Sequence, residues 1–576
     1  MARHKTVADA MWEMLAGAGV RRCYGIVGDA LNPVIDALRR NGQVDFVHVR
    51  HEEAGVFAAV ADASLTRSPV AVCGTAGPGA THLINGLMDA RKEGAPVIAI
   101  AGDTPTSKID TGALEEVDPH LLFQVASLYT GRLVNPAQTR AVVQTAIRTA
   151  LSDNGPTVIA VPGDVAAAEA PDGTFQAVSH HDPVLRPSGP DLEALAAMLD
   201  AAGTVTIFGG DGCRDAHHEV VALAEKLKAP VGYSLRGKQW LEWGNPYAAG
   251  MTGLLGWGGA YKAMHECGVC LMLGTDFPFT DFLPDKPKKV QVDRWPAHIG
   301  RRTHVDLGLV GHVAETVAAV LPLVREKTDT AHLDRALKET GEWRELIGHY
   351  VERGPETKPI RPEYLVSTIN EHASEDAAFS ADTGTACIWM ARYVDAKEGR
   401  RLFGSLSWAS MANAMPNAMG AALAYPGRQV IALCGDGGFT MLLGDLLTIV
   451  ERALPVKLIV LNNGGLEFVN IEMEEAGIEP FGTRFRNPDF SKVAEAMGAT
   501  GVRVEDPADV DEAVRHVLSC EGPAVLDAVV DPSAISLPPH VTFGMAEGFA
   551  LSLAKQALHG KLDDVLRTAA HNLRVL

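Results

Sequence analysis

Residues 434–465, CGDGGFTMLLGDLLTIVERALPVKLIVLNNGG, limit most strongly what this chain can fold into. One apolar run ends at Gly435-Asp436-Gly437, a helical pattern of apolar residues follows, and a second apolar run ends at Asn462-Asn463. Strand, helix, strand predicts two parallel strands whose carboxyl ends share one sheet edge, where open α/β sheets bind ligands. Asp436 and Asn463 should therefore lie close together. A carboxylate, an amide oxygen and bare glycine suit Mg²⁺ that also binds a diphosphate. The alternative is an ordinary βαβ unit with a turn aspartate and a polar loop.

Length and composition indicate a large globular protein. A chain of 576 residues is too long for one core and predicts three or four domains. The net charge of −20 argues against nucleic acid as a partner, because phosphate binding needs basic patches. The eight cysteines are scattered and are interpreted as buried or incidental thiols of a reducing compartment. No signal-peptide core and no apolar run of about eighteen residues is found, so we expect a cytoplasmic protein.

The order of apolar runs, glycines and helical stretches predicts an α/β chain of three doubly wound parallel sheets followed by a helical tail. We place the domains at residues 1–183, 184–335 and 336–533, and the tail at 534–576. AVCGTAGPGATHLINGL in the first domain has the same outline as IALCGDGGFTMLLGDL in the third. The two domains are therefore interpreted as distant copies of one fold.

Several segments, taken together, resemble a known family. They are RHEEAGVFAA, GPGATHLINGL, LRGKQW, NPYAAGMTGLLG, SMANAMP, GDGGFTMLLGD and LPVKLIVLNN, and with the tail they span essentially the whole chain. The chain resembles the pyruvate oxidase and acetolactate synthase group of thiamine-diphosphate enzymes, and within it most closely the quinone-dependent pyruvate dehydrogenases. The resemblance implies two domains of the thiamine-diphosphate-binding fold with an FAD-type domain between them.

The resemblance assigns the thiamine site. It implies that Asp436, the Asn463 side chain and the Gly465 carbonyl hold Mg²⁺, and that Gly435, Gly437 and Gly438 form the diphosphate turn. Met411 would support the bent coenzyme, although a lone methionine is more often core filling. Glu52 would be the carboxyl group on the pyrimidine nitrogen, which favours the imino form that takes the C2 proton. From the sequence alone, residues 50–53 (RHEE) are a solvated charge cluster.

For FAD, the central domain has no Gly-x-Gly-x-x-Gly motif. The resemblance instead points to two glycine-containing or polar strand-end loops and one carboxylate that could accept from a hydroxyl group. These residues are Thr252, Gly253, Leu254, Leu255, Thr275, Asp276, Phe277, Pro278, Phe279 and Asp293. The alternative is a central domain that binds no flavin.

The expected substrate pocket departs from the family pattern. Leu114 and Glu115 replace an aromatic residue and a glutamine, and Gly94 stands where pyruvate oxidases have a histidine. Trp408-Ala409 replaces His-Gly before Met411, and Glu467 replaces a glycine before Phe468, itself a pocket candidate. Extra carboxylates near the reacting carbon disfavour an anionic substrate unless they are protonated or paired. The alternative is that some of these residues point away from the pocket.

The tail places Met545, Phe549, Leu553 and Ala557 on one helical face. This face predicts either peripheral membrane contact, as in the related quinone enzyme, or packing on the protein's own body. Because Glu52 and Asp436 lie in different domains, the resemblance implies a site shared by two subunits of at least a dimer, with a tetramer expected.

Three functions are compatible with these residues. The leading one is oxidative decarboxylation of a 2-oxo acid, with pyruvate favoured and a quinone as electron acceptor. The second is a non-redox lyase or carboligase of the acetolactate synthase type, in which FAD is structural or missing. The third is a non-catalytic relative, against which the intact set of Glu52, Asp436 and Asn463 argues.

Overall fold

The computed structural model describes residues 4–176, 183–534, 550–553, 555, 556 and 572. The first domain is a six-stranded parallel sheet of strand order β2-β1-β3-β4-β6-β5. Its strands are β1 Arg22–Gly25, β2 Asp45–His48, β3 Val70–Gly74, β4 Val97–Asp103, β5 Tyr129–Arg132 and β6 Thr157–Pro162. Its helices are α1 Val7–Gly17, α2 Asn32–Asn41, α3 Glu52–Thr66, α4 Pro78–His82, α5 Ile84–Glu93, α6 Pro119–Leu122, α7 Thr139–Ser152 and α8 Gly163–Ala167.

The central domain is a parallel sheet of order β12-β11-β10-β7-β8-β9. Its strands are β7 Val205–Gly209, β8 Val231–Tyr233, β9 Ala248–Met251, β10 Val269–Leu273, β11 Lys288–Asp293 and β12 Leu307–Val310. Its helices are α9 Gly189–Ala201, α10 His217–Leu227, α11 Leu235–Leu241, α12 Ala260–Glu266 and α13 Val313–Val320. This is the strand order of doubly wound dinucleotide-binding domains, which bind ligands where the order reverses, here between β7 and β10.

The third domain repeats the strand order of the first, as β14-β13-β15-β16-β18-β17. Its strands are β13 Ala378–Ala381, β14 Arg401–Phe403, β15 Val430–Gly435, β16 Val456–Asn462, β17 Thr500–Val504 and β18 Ala524–Val529. Its helices are α14 Ala331–Glu352, α15 Pro362–His372, α16 Thr385–Tyr393, α17 Ala414–Ala424, α18 Asp436–Met441, α19 Leu446–Glu451, α20 Glu467–Glu475, α21 Phe490–Ala496 and α22 Val510–Ser519. The shared order supports the interpretation of the outer domains as copies of one fold.

One predicted helix is wrong in detail. The apolar pattern after the Gly-Asp-Gly turn predicts one continuous helix, but the structure divides it into α18 and α19. The division lies at Asp445, whose buried carboxylate accepts hydrogen bonds from the backbone N–H groups of Arg50 (2.8 Å) and His51 (3.1 Å). Asp445 thus binds the first domain directly in front of α3, which begins at Glu52.

All eight cysteines are free thiols, and seven of them are buried. Cys267 and Cys270 have C-x-x-C spacing, yet both pack in an apolar cluster with Phe208 and Phe277, so this spacing does not mark a metal site. Among the described residues, no helix is long and apolar enough to cross a bilayer. Met545, Phe549 and Ala557 of the predicted tail face lie outside the described residues. Near Leu553, Ser552 Oγ donates to the Ile478 carbonyl (2.9 Å), so this part of the tail contacts the third domain.

Candidate active site

Asp436 and Asn463 lie side by side, as the strand–helix–strand pattern predicts. β15 and β16 are paired in parallel along their full length, so both carboxyl ends reach the same edge. Asp436 Oδ2 accepts hydrogen bonds from the backbone N–H groups of Asn463 (3.0 Å) and Gly464 (2.7 Å), and Oδ1 accepts from that of Gly437 (2.7 Å). Burial raises the pKa of Asp436, and these hydrogen bonds oppose the rise.

Asn487 completes this cluster and was missed from the sequence. Its Nδ2 donates to Asp436 Oδ2 (2.8 Å) and to Asn462 Oδ1 (2.9 Å). It lies in an irregular segment before α21, where no periodicity indicates which way a side chain points. Asn487 therefore holds the same carboxylate oxygen that accepts from the Asn463 loop.

Met411 lies over the Gly-Asp-Gly turn. A Cβ atom added at Gly437 would come within 2.9 Å of Leu466, 3.3 Å of Phe485 and 3.6 Å of the Met411 methyl group. Any residue other than glycine would therefore fill the space between the turn and these three side chains. The turn and Met411 together form a cradle in which the glycine backbone carries no side chain.

Residues 404–413, which we call the Met411 loop, have strained backbone on both sides of Met411. Ala409 and Ala412 have φ of 62° and 65°, a left-handed conformation that costs about 1 kcal/mol or more in a residue other than glycine. Asn413 closes the loop, because its Oδ1 accepts from the Ser405 backbone N–H (3.0 Å) and its Nδ2 donates to the Ser410 carbonyl (2.7 Å). Strain held by surrounding hydrogen bonds is common in ligand-binding loops.

Glu52 is buried at the start of α3, and its contacts lie in the first domain. Its Oε2 pairs with His82 Nδ1 at 2.9 Å, and a Cβ atom at Gly79 would lie 3.1 Å from its Oε1. Among the described residues, no hydrogen bond or ion pair joins Glu52 to the Asp436 turn of the same chain. The chain thus carries the two halves of the predicted site on different domains.

His51, Glu52 and His82 have ligand atoms within 4.8 Å of one another, the geometry of a candidate metal site. However, His51 Nδ1 accepts a hydrogen bond from the Glu53 backbone N–H (3.2 Å), which caps α3. The neutral His51 ring then carries its proton on Nε2 and has no lone pair left for a metal. The cluster is therefore better suited to hold Glu52 in place than to bind an ion.

The predicted substrate residues are divided between separate surfaces of one chain. Leu114 is 90% exposed, and Glu115 (φ 63°) lies against Gly77, close to the Glu52 end of the first domain. Trp408 Nε1 donates to Asn85 Oδ1 (2.7 Å), so its indole joins the Met411 loop to α5. Gly94 ends α5 in a left-handed conformation, with φ of 72°.

Glu467 and Phe468 begin α20, immediately after the Asn463 loop. Burial raises the pKa of Glu467 to about 7, while Arg484, 3.1 Å away, and Asn470, 3.0 Å away, oppose the rise. The extra acid expected from the sequence is therefore paired. This pairing reduces its repulsion of an anionic substrate.

A cleft of about 2060 Å³ lies between the three domains. Its wall includes, from the predicted flavin residues, Leu254, Leu255, residues 275–279 and Asp293, and continues to Met411 and Phe468. The loops after β7 and β10 meet here, since the Gly212 backbone N–H donates to the Gly274 carbonyl (2.9 Å). The cleft therefore reaches both the reversal of the central sheet and the Met411 cradle.

Comparison with known proteins agrees with this architecture. Residues 5–122, 192–320 and 382–528 match the N-terminal TPP binding domain, the central domain and the C-terminal TPP binding domain of thiamine pyrophosphate enzymes. A Bacillus subtilis relative named "Putative thiamine pyrophosphate-containing protein YdaP" is 34% identical over 555 residues, which cover 96% of each chain. The chain belongs to the thiamine-pyrophosphate enzymes of the pyruvate oxidase and acetolactate synthase group.

Two further members of this group match along most of their length. A pyruvate oxidase from Lactiplantibacillus plantarum is 31% identical over 90% of this chain and 88% of its own length. The acetolactate synthase large subunit IlvB1 of Mycobacterium tuberculosis is 30% identical over 92% of this chain and 88% of its own. The predicted family and fold are confirmed, since each of the three matched domains falls on one of the three parallel sheets.

The residues at the Asp436 turn fit the coenzyme of this group. The Asp436 carboxylate, the Asn463 amide oxygen and the Gly465 carbonyl form a set of hard oxygen donors of the kind Mg²⁺ prefers. The glycines of the turn below Met411 place backbone without side chains beside them. These are the residues that would hold the metal and the diphosphate.

Proposed function

We propose that this thiamine-pyrophosphate enzyme oxidatively decarboxylates a 2-oxo acid, with pyruvate favoured, and uses FAD to pass two electrons to a quinone. The balanced reaction converts a 2-oxo acid, water and quinone into a carboxylic acid one carbon shorter, carbon dioxide and quinol. Its main support is the single cleft that runs from the reversal of the central sheet to Met411 and Phe468. Its volume exceeds the roughly 300–1,000 Å³ of ordinary small-molecule pockets, which leaves room for a dinucleotide and a substrate together.

The residues of the chain would have separate roles in binding the coenzyme and the substrate. Thiamine diphosphate supplies the nucleophilic carbon and the electron sink for decarboxylation. Asp436, Asn463 and Gly465 would bind its metal, Met411 would support its bend, and the Glu52 carboxyl group would hold a proton at the pyrimidine nitrogen. Arg484 would keep Glu467 paired while an anionic substrate lies beside it.

Two features of the central domain fit a flavin, which would supply a two-electron acceptor. Thr252 Oγ1 is buried and has no hydrogen-bond partner, so it is available to a ligand. Gly253 has φ of 100°, and a Cβ atom there would lie 2.7 Å from Phe277, so the backbone of this loop stays bare. Arg301 and Arg302 anchor Asp276 from the neighbouring loop. Residues 252–255 and 275–279, together with Asp293, would hold FAD.

Flavin reduction tests this proposal. We expect purified protein to carry FAD, and pyruvate to bleach its visible absorbance without oxygen, because the cleft connects both coenzyme regions. Stopped-flow absorbance with a series of 2-oxo acids measures the rate, and added quinone should restore the colour. The Glu52→Gln variant is the matched control and should not bleach.

The same experiment distinguishes oxidative decarboxylation from the second candidate function, a non-redox lyase or carboligase, which the similarity to an acetolactate synthase favours. Release of carbon dioxide with an unbleached flavin, or with no flavin, would assign a non-redox lyase or carboligase. Protein that binds no thiamine diphosphate would favour a non-catalytic relative instead.

We propose that two copies of the chain form each site. On the first domain, exposed Leu114 lies near Glu52. On the third, Phe481 is 88% exposed and Met441 57% exposed near the Asp436 turn. Large exposed apolar side chains indicate an interaction surface. A second copy would cover both surfaces and bring Glu52 of one chain to the coenzyme held by the other, in a dimer or a tetramer built from dimers.

Mixing two inactive variants tests the shared site. Glu52→Gln and Asp436→Ala chains, expressed together, should recover about a quarter of wild-type activity, because half of randomly paired dimers have one intact site out of two. An activity assay of the unfractionated mixture measures this recovery, and mixed dimers purified through two different tags should have about half of wild-type activity, because each has one intact site out of two. A single variant mixed with itself is the control. No recovery in confirmed mixed dimers would place each site within one chain.

The remaining expectations concern location. We propose a cytoplasmic enzyme that contacts the membrane peripherally through its tail, where it would meet a membrane quinone. The contact of Ser552 with Ile478 places this part of the tail directly after α20, the helix that follows the Asn463 loop. Activity with and without lipid vesicles tests this link.

A further inference from the structure

Asp382 is a buried carboxylate to which no reaction step has been assigned. It follows β13, is 2% exposed, and its Oδ1 accepts a hydrogen bond from the Ala414 backbone N–H (3.0 Å). The nearby backbone N–H groups of Asn413 and Gly435 lower its pKa. Burial raises the pKa of Asp382 to about 7, against the effect of these donors. Among the described residues it has no cationic partner, so backbone N–H groups alone compensate the carboxylate.

These three backbone N–H groups come from both parts of the coenzyme cradle. Asn413 and Ala414 end the Met411 loop and begin α17, whereas Gly435 precedes Asp436 in the diphosphate turn. Gly438 of the same turn lies so close that a Cβ atom there would come within 2.3 Å of Asp382 Oδ2. The carboxyl group therefore occupies the space between the turn and the loop.

A second contact from β13 fixes the same loop end. Ser380 Oγ donates to the Ala414 carbonyl (2.7 Å), so both backbone groups of Ala414 are bound to side chains at the end of this strand. The Met411 loop contains two left-handed alanines and needs such contacts to keep its conformation. Loss of the Asp382 acceptor would release the loop relative to the turn.

We propose that Asp382 is a positioning residue that holds the Met411 loop and the diphosphate turn at a fixed separation, so that the cradle is formed before the bent coenzyme binds. The inference rests on thiamine diphosphate as the coenzyme of this chain. It concerns binding of the whole coenzyme, because inorganic pyrophosphate with Mg²⁺ reaches the turn alone and does not need Met411.

The test compares two ligands on the full-length protein. Asp382→Asn removes the negative charge and replaces one of the two acceptor oxygens by an NH₂ donor, so the attraction of the carboxylate for the backbone N–H groups that close the cradle is weakened. We expect the Kd of thiamine diphosphate to rise at least about tenfold and that of pyrophosphate with Mg²⁺ less than about threefold. Isothermal titration calorimetry measures both constants. Ser380→Ala, which removes the other side-chain contact to Ala414 and leaves the diphosphate turn unchanged, should give the same selective loss to a smaller degree.

Asp62→Asn is the matched control, because Asp62 is equally buried but lies in the first domain, paired with Arg22 and Tyr24. It should lower the melting temperature while the Kd of thiamine diphosphate changes less than about twofold. Equal weakening of both ligands in Asp382→Asn, or no weakening, would overturn the inference while the coenzyme assignment stands. A wild-type chain that binds no thiamine diphosphate would overturn the coenzyme assignment, and this inference with it.

Discussion

Glu52→Gln should slow hydrogen–deuterium exchange at the thiamine C2 carbon by about a hundredfold or more, while the coenzyme still binds. Glutamine has the shape of glutamate, and its amide oxygen can still accept from His82 Nδ1, which lies 2.9 Å from the present carboxylate. It cannot share a proton with the pyrimidine nitrogen, so the imino form that removes the C2 proton is no longer favoured. Quenched exchange followed by NMR measures the rate, and calorimetry measures binding.

Glu53→Gln is the control for this result. It makes the same charge change one residue away, but Glu53 Oε1 accepts from Asn85 Nδ2 (2.7 Å) within the chain. We expect its exchange rate to stay within about threefold of wild type, because the glutamine oxygen can still accept the hydrogen bond from Asn85 Nδ2. An unchanged exchange rate in Glu52→Gln would refute the role of Glu52, and equal slowing in both variants would indicate a general disturbance of α3.

The sheets were predictable because their pattern is local. Apolar runs that end in glycine, aspartate or asparagine identify β15 and β16, and strand–helix–strand chirality makes them parallel neighbours. The matched outline of the first and third domains indicated one shared fold, and both sheets have the same strand order. The division between α18 and α19 was not predictable, because it depends on Asp445 binding the backbone of Arg50 and His51, almost four hundred residues earlier.

The direction of side chains in irregular segments was harder to predict from the sequence than the sheets. Trp408 was expected in the substrate pocket, yet its indole binds Asn85 of α5. Asn487 and His82 were not predicted, although they hold Asp436 and Glu52. Loops have no periodicity that fixes the orientation of a side chain, so a sequence pattern can place such a residue near the site but cannot show what it contacts.

Within one chain, Glu52 and Asp436 belong to different domains and share no hydrogen bond or ion pair, so a single chain does not form the whole predicted coenzyme site. Glu52 is held from its own domain by His82, and Asp436 from its own by Asn487. Each half is thus organised before the other arrives. In the dimer we propose, preorganisation of this kind would lower the ordering cost of assembly, so that contacts between the two copies would contribute to affinity.

Asp436→Ala should abolish Mg²⁺-dependent binding of thiamine diphosphate, with affinity falling by at least about a hundredfold, or ~2.7 kcal/mol. The change removes the only charged donor proposed for the metal. It also leaves the backbone N–H groups of Gly437, Asn463 and Gly464 and the Asn487 amide without their acceptor. Residual affinity should then be the same with Mg²⁺ or with a chelator, which calorimetry can measure.

Asp511→Ala is the matched control, because Asp511 lies in the same domain on α22 and pairs with Arg515 and His372 at the surface. It removes one carboxylate without touching the turn, so tight Mg²⁺-dependent binding should remain. Tight Mg²⁺-dependent binding in Asp436→Ala as well would place the metal elsewhere. Since Asn463 and Gly465 offer only neutral oxygens, they would not hold a divalent ion against water without the Asp436 charge.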